Sequence, residues 1–289
     1  MEENIVLGII GGSGLYQFPA LQNVKTVEIK TPFGDPSSPV VIGTLSGKRV
    51  AFLARHGIGH FISPTEVNYR ANIYALKSLG VQQVVSISAC GSLRDDFAPG
   101  DVVIPDQLVD FTHQRSRSFF GEGMVIHVGV AEPFCKELSA LLLEAVNEAG
   151  AVSHNGGTFI TIEGPRFSTK GESNLYRAWG MSIIGMTASP EAFLAREAEM
   201  CYATMAHVTD YDVWHVTEEA VSADMVVRTL AKNIEVVQQA VQILVKKLPR
   251  KATCSCASAL SNAIITRPEC IPPETIEKLD LLVHKYIHP

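Results

Sequence analysis

Hydrophobic positions in this chain fall into short unbroken runs and longer periodic stretches, and the two kinds alternate. Ile5 to Ile10 is a continuous, largely β-branched run ending in Gly11-Gly12-Ser13-Gly14, the pattern of a strand buried on both faces that enters a tight loop. Val40–Leu45 and Arg49–Ala54 flank Ser46-Gly47 and predict a hairpin. Val84–Ser88, Asp101–Pro105, Gly157–Ile162, Ser182–Met186 and Cys201–Thr209 read as further strands. Helical spacing marks Pro64–Leu79, with Val67, Ile73, Ala75 and Leu76 on a face and Gly80 as a stop. It also marks Pro133–Ala149, Pro190–Glu199 and the long amphipathic stretch Glu218–Lys247. Strands interleaved with helices predict an α/β fold, a single domain over residues 1–248 with a mostly parallel or mixed central sheet surrounded by helices. Residues 249–289 read as an extension packing on the same domain or on a neighbouring subunit: a Cys-Ser-Cys turn, a Pro-rich connection and a final helix from Pro273 to Tyr286.

Composition narrows the picture. The chain has 289 residues, 46% hydrophobic and 19% charged, enough for one large core or two modest ones. A net charge of −6 argues against nucleic acid or an anionic membrane as the main partner, and an anionic substrate would need locally placed cations. The acidic start Met1-Glu2-Glu3-Asn4 lacks the basic region of a signal peptide, and no apolar run approaches the ~20 residues of a membrane helix, so a cytoplasmic protein is expected. Cys90, Cys135, Cys201, Cys254, Cys256 and Cys270 form no paired C-x-x-C ligands, and a structural zinc site is not expected. Cys254-x-Cys256 leaves two readings open, free thiols in a reducing cytosol or the disulfides of intracellular thermophile proteins.

The most telling motif is Thr209-Asp210-Tyr211-Asp212. Alternation in an extended segment puts both acids on one face, where they match two adjacent polar atoms on one edge of a purine. One acid, protonated, donates to a ring nitrogen that turns basic as a glycosidic bond breaks; the other accepts from an exocyclic amine. Solvated loops and Ca²⁺ fragments share the spacing, so context decides. The Gly11–Gly14 loop fails the dinucleotide fingerprint on its third glycine and its helix, which leaves backbone amides and Ser13 to hold an anion, or a plain turn. Arg55-His56-Gly57, with His60 nearby, follows a strand end and suits a phosphate clamp. His56 and His60 lack an accompanying acid or cysteine, so no metal is expected there. Ser88-Ala89-Cys90-Gly91-Ser92, Glu163-Gly164-Pro165-Arg166-Phe167-Ser168 and Gly185-Met186-Thr187 are further strand ends rich in small polar groups, the rim at which open α/β sheets bind ligands. Neither a Gly-x-Ser-x-Gly elbow nor a Walker loop is present.

In this order and spacing the segments resemble the trimeric purine nucleoside phosphorylase family, and within it the methylthioadenosine phosphorylases. The resemblance runs from about Leu7 to Leu244 and rests on Gly11–Leu15, Thr31–Gly34, Ala54–Gly57, Val67–Arg70, Ala89–Ser92, Ala131–Phe134, Glu163–Phe167, Met186-Thr187, Pro190-Glu191 and Thr209–Asp212. It implies a purine nucleoside phosphorylase-like fold. It also implies phosphorolysis of 5′-methylthioadenosine to adenine and 5-methylthioribose 1-phosphate, with inorganic phosphate as co-substrate and no cofactor or metal.

On this resemblance Ser13, Arg55, His56, Ser88, Ala89 and Thr187 hold phosphate, and Arg55 and His56 polarise it. Met186 lies beneath the ribose, Phe167 stacks on the base, and Asp210, Tyr211 and Asp212 form the base site, with protonated Asp210 as the acid. Ser168, Ala223 and a neighbouring subunit's His127 set specificity, the last two around the 5′ group, which implies a homotrimer or a dimer of trimers. Ser88 replaces the Thr usual in animal members, and Ala223 a bulkier Val, which loosens the expected 5′ selectivity. Asp at 210, where members acting on 6-oxopurines place Asn, marks a 6-aminopurine, because an unpaired buried acceptor opposite O6 would cost ~1–3 kcal/mol. The alternatives are a broader phosphorylase taking adenosine or inosine, and a silent purine-binding or scaffold protein. The Cys-Ser-Cys tail is similar to that of thermophile members with extra disulfides, which makes Cys135–Cys201 the first candidate pair.

Overall fold

Unbroken apolar runs become the centre of a mixed sheet. The computed structural model describes residues 4–12, 18–215, 221–249 and 253–287. Its first half comprises β1 (Ile5–Gly11), β2 (Gln22–Val27), β3 (Val40–Leu45), β4 (Lys48–Ala54), α1 (Tyr69–Ser78), β5 (Gln83–Ser92), β6 (Val102–Ile104) and β7 (Gln107–Phe111). There follow α2 (Lys136–Glu148), β8 (Ser153–Asn155), β9 (Thr158–Ile162), α3 (Lys170–Ala178), β10 (Ile183–Gly185) and α4 (Ala188–Glu197). The chain then forms β11 (Cys201–Asp210), α5 (Ala223–Lys247) and α6 (Pro273–Ile287).

The sheet runs β2-β3-β4-β1-β5-β10-β9-β7, and β11 with β6 and β8 branches from β5. β1 lies parallel to β4 and β5, and β11 parallel to β5, while β10 meets β5 antiparallel, so the sheet is mixed. Helices cover both faces. Leu138, Leu142 and Val146 of α2 and Val241 and Leu244 of α5 pack one side. Ile73 and Leu76 of α1 and Leu194 and Ala195 of α4 pack the other. This is the α/β arrangement expected from the interleaving. No helix among the described residues is long and apolar enough to cross a membrane.

Two expectations move in position. The helix expected from Pro64 begins at Tyr69, because the Asn68 side chain caps it by accepting from Ala71 N at 3.2 Å. The helix expected from Glu218 is described from Ala223, where Ser222 caps it; residues 216–220 lie outside the described residues. The tail packs on its own chain: Leu260, Ile271, Leu279, Leu282 and Val283 are buried in the same core as α1 and α4. Ile126 bridges Ile264, and His127 N donates to Ala263 O at 2.8 Å. All six cysteines are free thiols, so the Cys135–Cys201 bond expected from the resemblance is not formed, although the two sulfurs are neighbours.

Candidate active site

The parallel strands β1, β4, β5 and β11 end at one rim, and a cavity of about 910 Å³ opens there. Its wall includes Gly12, Arg55, His56, Ser88, Ala89 and Thr187 together with Phe167, Asp210 and Asp212. Met186 lines the same cavity. Strand ends scattered over more than 150 residues of sequence thus converge as expected. Ser13 lies outside the described residues.

Arg55 follows β4 and is only 2% exposed. Its guanidinium grips Glu191 of α4 in a fork, Nε to Oε2 at 2.9 Å and Nη2 to Oε1 at 3.0 Å. It also donates to Ser86 Oγ at 2.7 Å and to the Ile87 carbonyl at 3.3 Å. Burial opposes its charge, and the Glu191 carboxylate more than offsets that, so the cation is held firmly. The guanidinium expected in the phosphate clamp is thus already paired. An anion meets an already neutralised pair, with Arg55 as the keystone of a buried polar network. From Ser86 the network continues to Ser88 Oγ at 3.2 Å and on to Thr187 Oγ1 at 3.0 Å, while Tyr202 donates to Glu191 Oε1 at 2.8 Å.

His56 is buried, and its Nδ1 lies 2.9 Å from the Ile62 carbonyl. Burial and then the neighbouring Arg55 cation lower its titration to about 4, so the ring is neutral near pH 7. A carbonyl only accepts, so Nδ1 carries the proton and Nε2 is left as an acceptor. His56 therefore brings a lone pair rather than a charge to phosphate. It stacks on His60 with centroids 4.4 Å apart, a ring contact rather than a metal pair.

The aspartates meet in a way that strand alternation does not describe. β11 ends at Asp210, and Asp212 sits in the left-handed region with φ of 54°. Its N–H donates to Asp210 Oδ1 at 2.7 Å, so an Asx turn folds the second acid back beside the first. Thr209 Oγ1 lies 2.7 Å from Asp210 Oδ2. Gly91 of β5 makes room, since a Cβ there would stand 2.9 Å from Asp210 Oδ1. Burial, at 5% exposure, raises Asp210 to about 6 against those hydrogen bonds, and the Asp212 charge adds to the rise. Asp212 is raised as well, by burial first, and its Oδ2 makes no hydrogen bond. The hydroxyls of Ser173 and Ser168 lie beside it, and Ser168 also lines the cavity.

Other expected residues divide. Phe167, 39% exposed, lines the cavity mouth, and Ala223 lines the wall at the first turn of α5 with Val221, Val226 and Leu230. Tyr211 does not line it: its ring stacks on His215 at 4.6 Å and meets Trp214 edge-on, which fixes the loop after β11. His127 is exposed and outside its own chain's cavity.

The sequence reading gave no role to three residues. Glu191 is the buried partner of Arg55. Arg115, buried, donates from Nη1 to the carbonyls of Met186 and Ser189 at 2.7 Å each and from Nη2 to that of Glu163 at 2.7 Å, tying together two cavity loops. His207 of β11 lines the cavity, titrates near 4 because it is buried, and has both ring nitrogens without a hydrogen bond. Among the described residues the group with metal-ligand spacing is four cysteines, none of which lines the cavity.

Comparison with known proteins adds to the geometry. Residues 6–246 match the family model described as the phosphorylase superfamily. The chain is 53% identical over 280 residues to S-methyl-5′-thioadenosine phosphorylase of Koribacter versatilis, covering 97% of this chain and 96% of that protein. It is 51% identical to the enzyme of the same name from Geobacter sulfurreducens, covering 98% and 99%. A solved methylthioadenosine phosphorylase from an antarctic soil metagenomic library superposes with a TM-score of 0.91 at 48% identity, covering 97% of this chain and 99% of that one. The Schistosoma mansoni methylthioadenosine phosphorylase in complex with adenine gives 0.84 at 37% identity, covering 89% and 96%.

Proposed function

Because the chain belongs to the phosphorylase superfamily, we propose that it cleaves S-methyl-5′-thioadenosine with inorganic phosphate, yielding adenine and 5-methylthioribose 1-phosphate. The observation that carries this reading is the buried Asp210–Asp212 pair in the cavity wall, with Asp210 held up to about 6. Protonated, Asp210 donates to N7 as the C1′–N9 electrons pass into the adenine ring. The unpartnered Oδ2 of Asp212 accepts from the 6-amino group. Bond breaking runs ahead of attack, and a phosphate oxygen then closes on C1′ of an oxocarbenium-like sugar. Ser88, the Ala89 backbone and Thr187 hold that phosphate, with Ser13 as a further hydroxyl. Arg55 supports the network beneath, and neutral His56 accepts the proton of a P–OH group through Nε2. Met186 underlies the ribose and Phe167 covers the base.

A single acid of this kind is asked for ~10²–10⁴ in rate. The reaction needs no cofactor and no metal ion. The apolar wall around Ala223 takes the methylthio group, and His127 of a neighbouring copy completes that end, which makes the working unit a trimer or a pair of trimers. A cytoplasmic setting belongs to the same reading. The small side chain of Ala223 supports a second activity on adenosine, whose 5′-hydroxyl the roomier wall would also admit.

The test replaces N7 of methylthioadenosine by C–H. The 7-deaza compound should bind in the range of the substrate yet turn over at least ~10²-fold more slowly, since the ring can no longer take a proton from Asp210. Turnover at the substrate's own rate would remove Asp210 as the acid.

A further inference from the structure

Four cysteines unused by the reaction come together on the far side of the fold from the cavity lining. Cys135 immediately precedes α2, Cys201 opens β11, and Cys254 and Cys256 lie just before and within the short 3₁₀ turn of the tail, Ser255–Ser258. Their four sulfurs all lie within 4.8 Å of one another. Cys201 Sγ is 3.1 Å from Cys254 Sγ, and Cys135 Sγ is 3.7 Å from it. A zinc ion bound by four thiolates at about 2.3 Å has sulfurs about 3.8 Å apart along the edges of its tetrahedron. The Cys135–Cys254 spacing matches that edge, the Cys201–Cys254 spacing is shorter, and the whole cluster lies within 4.8 Å.

From this cluster we infer a tetrahedral thiolate site for a soft divalent cation of the zinc class, formed by Cys135, Cys201, Cys254 and Cys256. The surroundings suit it. Three of the sulfurs belong to buried residues and Cys254 is half-buried, which leaves one side for entry. Arg196 Nη1 donates to Cys256 Sγ at 3.5 Å, so a cation stands against the charge that four thiolates and one divalent ion would leave. On binding, each ligand still carrying its proton releases it to solvent, and no sulfur is oxidised. Only the Cys254–Cys256 pair is local in sequence, with Cys201 and Cys135 lying 53 and 119 residues from Cys254. A search for paired C-x-x-C motifs therefore passes over the site, and the expectation of no structural zinc is revised to this extent. The ion would fasten the tail to the junction of α2 and β11, remote from the cavity.

The test uses the full chain, without a histidine tag, purified under reducing conditions. Elemental analysis should find one zinc per chain, and Co²⁺ exchange should give the visible bands of a tetrahedral tetrathiolate. Four of the six thiols should resist a thiol reagent until chelator is added. Chelation should lower the melting temperature and leave the initial phosphorolysis rate unchanged. Cys254→Ser and Cys256→Ser, at the more accessible turn, should lose the metal and its cobalt spectrum while staying active. Failure of the reduced chain to take up Zn²⁺ or Co²⁺ would overturn the proposal. So would fewer than six thiols in the denatured, unreduced protein, which would make the cluster a set of disulfides. The phosphorolysis assay is read separately, so a failed metal test leaves that reading standing.

Discussion

At the scale of single residues, burial and hydrogen bonding pull Asp210 in opposite directions. Its carboxyl rises from the ordinary 3.8 to about 6 on burial, so the folded chain holds that proton more tightly than the unfolded one. The stability it contributes is complete below 3.8 and is lost as pH rises through about 6. Asp210→Asn removes that titration. The variant should melt above the parent at pH 8, by at most about 3 kcal/mol, with the gap closing toward pH 4. Its kcat/KM on methylthioadenosine should fall by ~10²–10⁴ while inosine improves, because an amide meets O6 but is no acid. Thermal melts at two pH values beside steady-state rates check both halves; a variant neither more stable nor slower would dismiss the assignment. The identity of this residue was legible, since two acids in i, i+2 spacing after an apolar strand stand out. Their geometry was not, because an Asx turn depends on local φ rather than on alternation. Glu191 and Arg115 were hidden for a related reason. A charged residue in a helix or loop looks solvated in sequence, and only tertiary contacts reveal that Glu191 is wholly buried against Arg55. Removing either partner of such a pair strands the other charge, at ~3–5 kcal/mol.

Among the elements, β1, β5 and β11 were readable because strands buried on both faces are continuous apolar runs. β2, Gln22–Val27, was passed over: it is a mostly exposed edge strand with almost no apolar signal. α3 was missed although Thr169 and Glu172 form a full capping box at its start, a signal that was present in the sequence and not used. The first turns of α5 bring Ala223, Val226 and Leu230 into the cavity wall from one helix face. Ala223→Val adds apolar bulk there. The ratio of kcat/KM for methylthioadenosine to that for adenosine should change by ~10–200-fold in favour of the methylthio substrate, the usual worth of such groups in an apolar slot. Competition between the two substrates in one vessel measures the ratio directly, and an unchanged ratio would take Ala223 out of the 5′ pocket.

For the whole molecule, the fold was legible, and the proposed assembly is the next thing to test. His127 is exposed, while its segment is fixed by the Ile126–Ile264 bridge to the tail, so it offers a rigid projection to a neighbour. Native mass measurement should give three chains or a multiple of three, and a fully active monomer would rule out a shared site. The metal-ligand cluster is the converse case: it is a property of the folded chain alone, because its sulfurs come from α2, β11 and the tail. All of these readings rest on one reaction. Release of the purine base, adenine from methylthioadenosine and adenosine and hypoxanthine from inosine, followed with and without inorganic phosphate, tests it most directly. Release should require phosphate, be fastest with methylthioadenosine, slower with adenosine and weakest with inosine, and yield one sugar 1-phosphate per base. Adenine release at the same rate without phosphate, or inosine as the preferred substrate, would contradict the account.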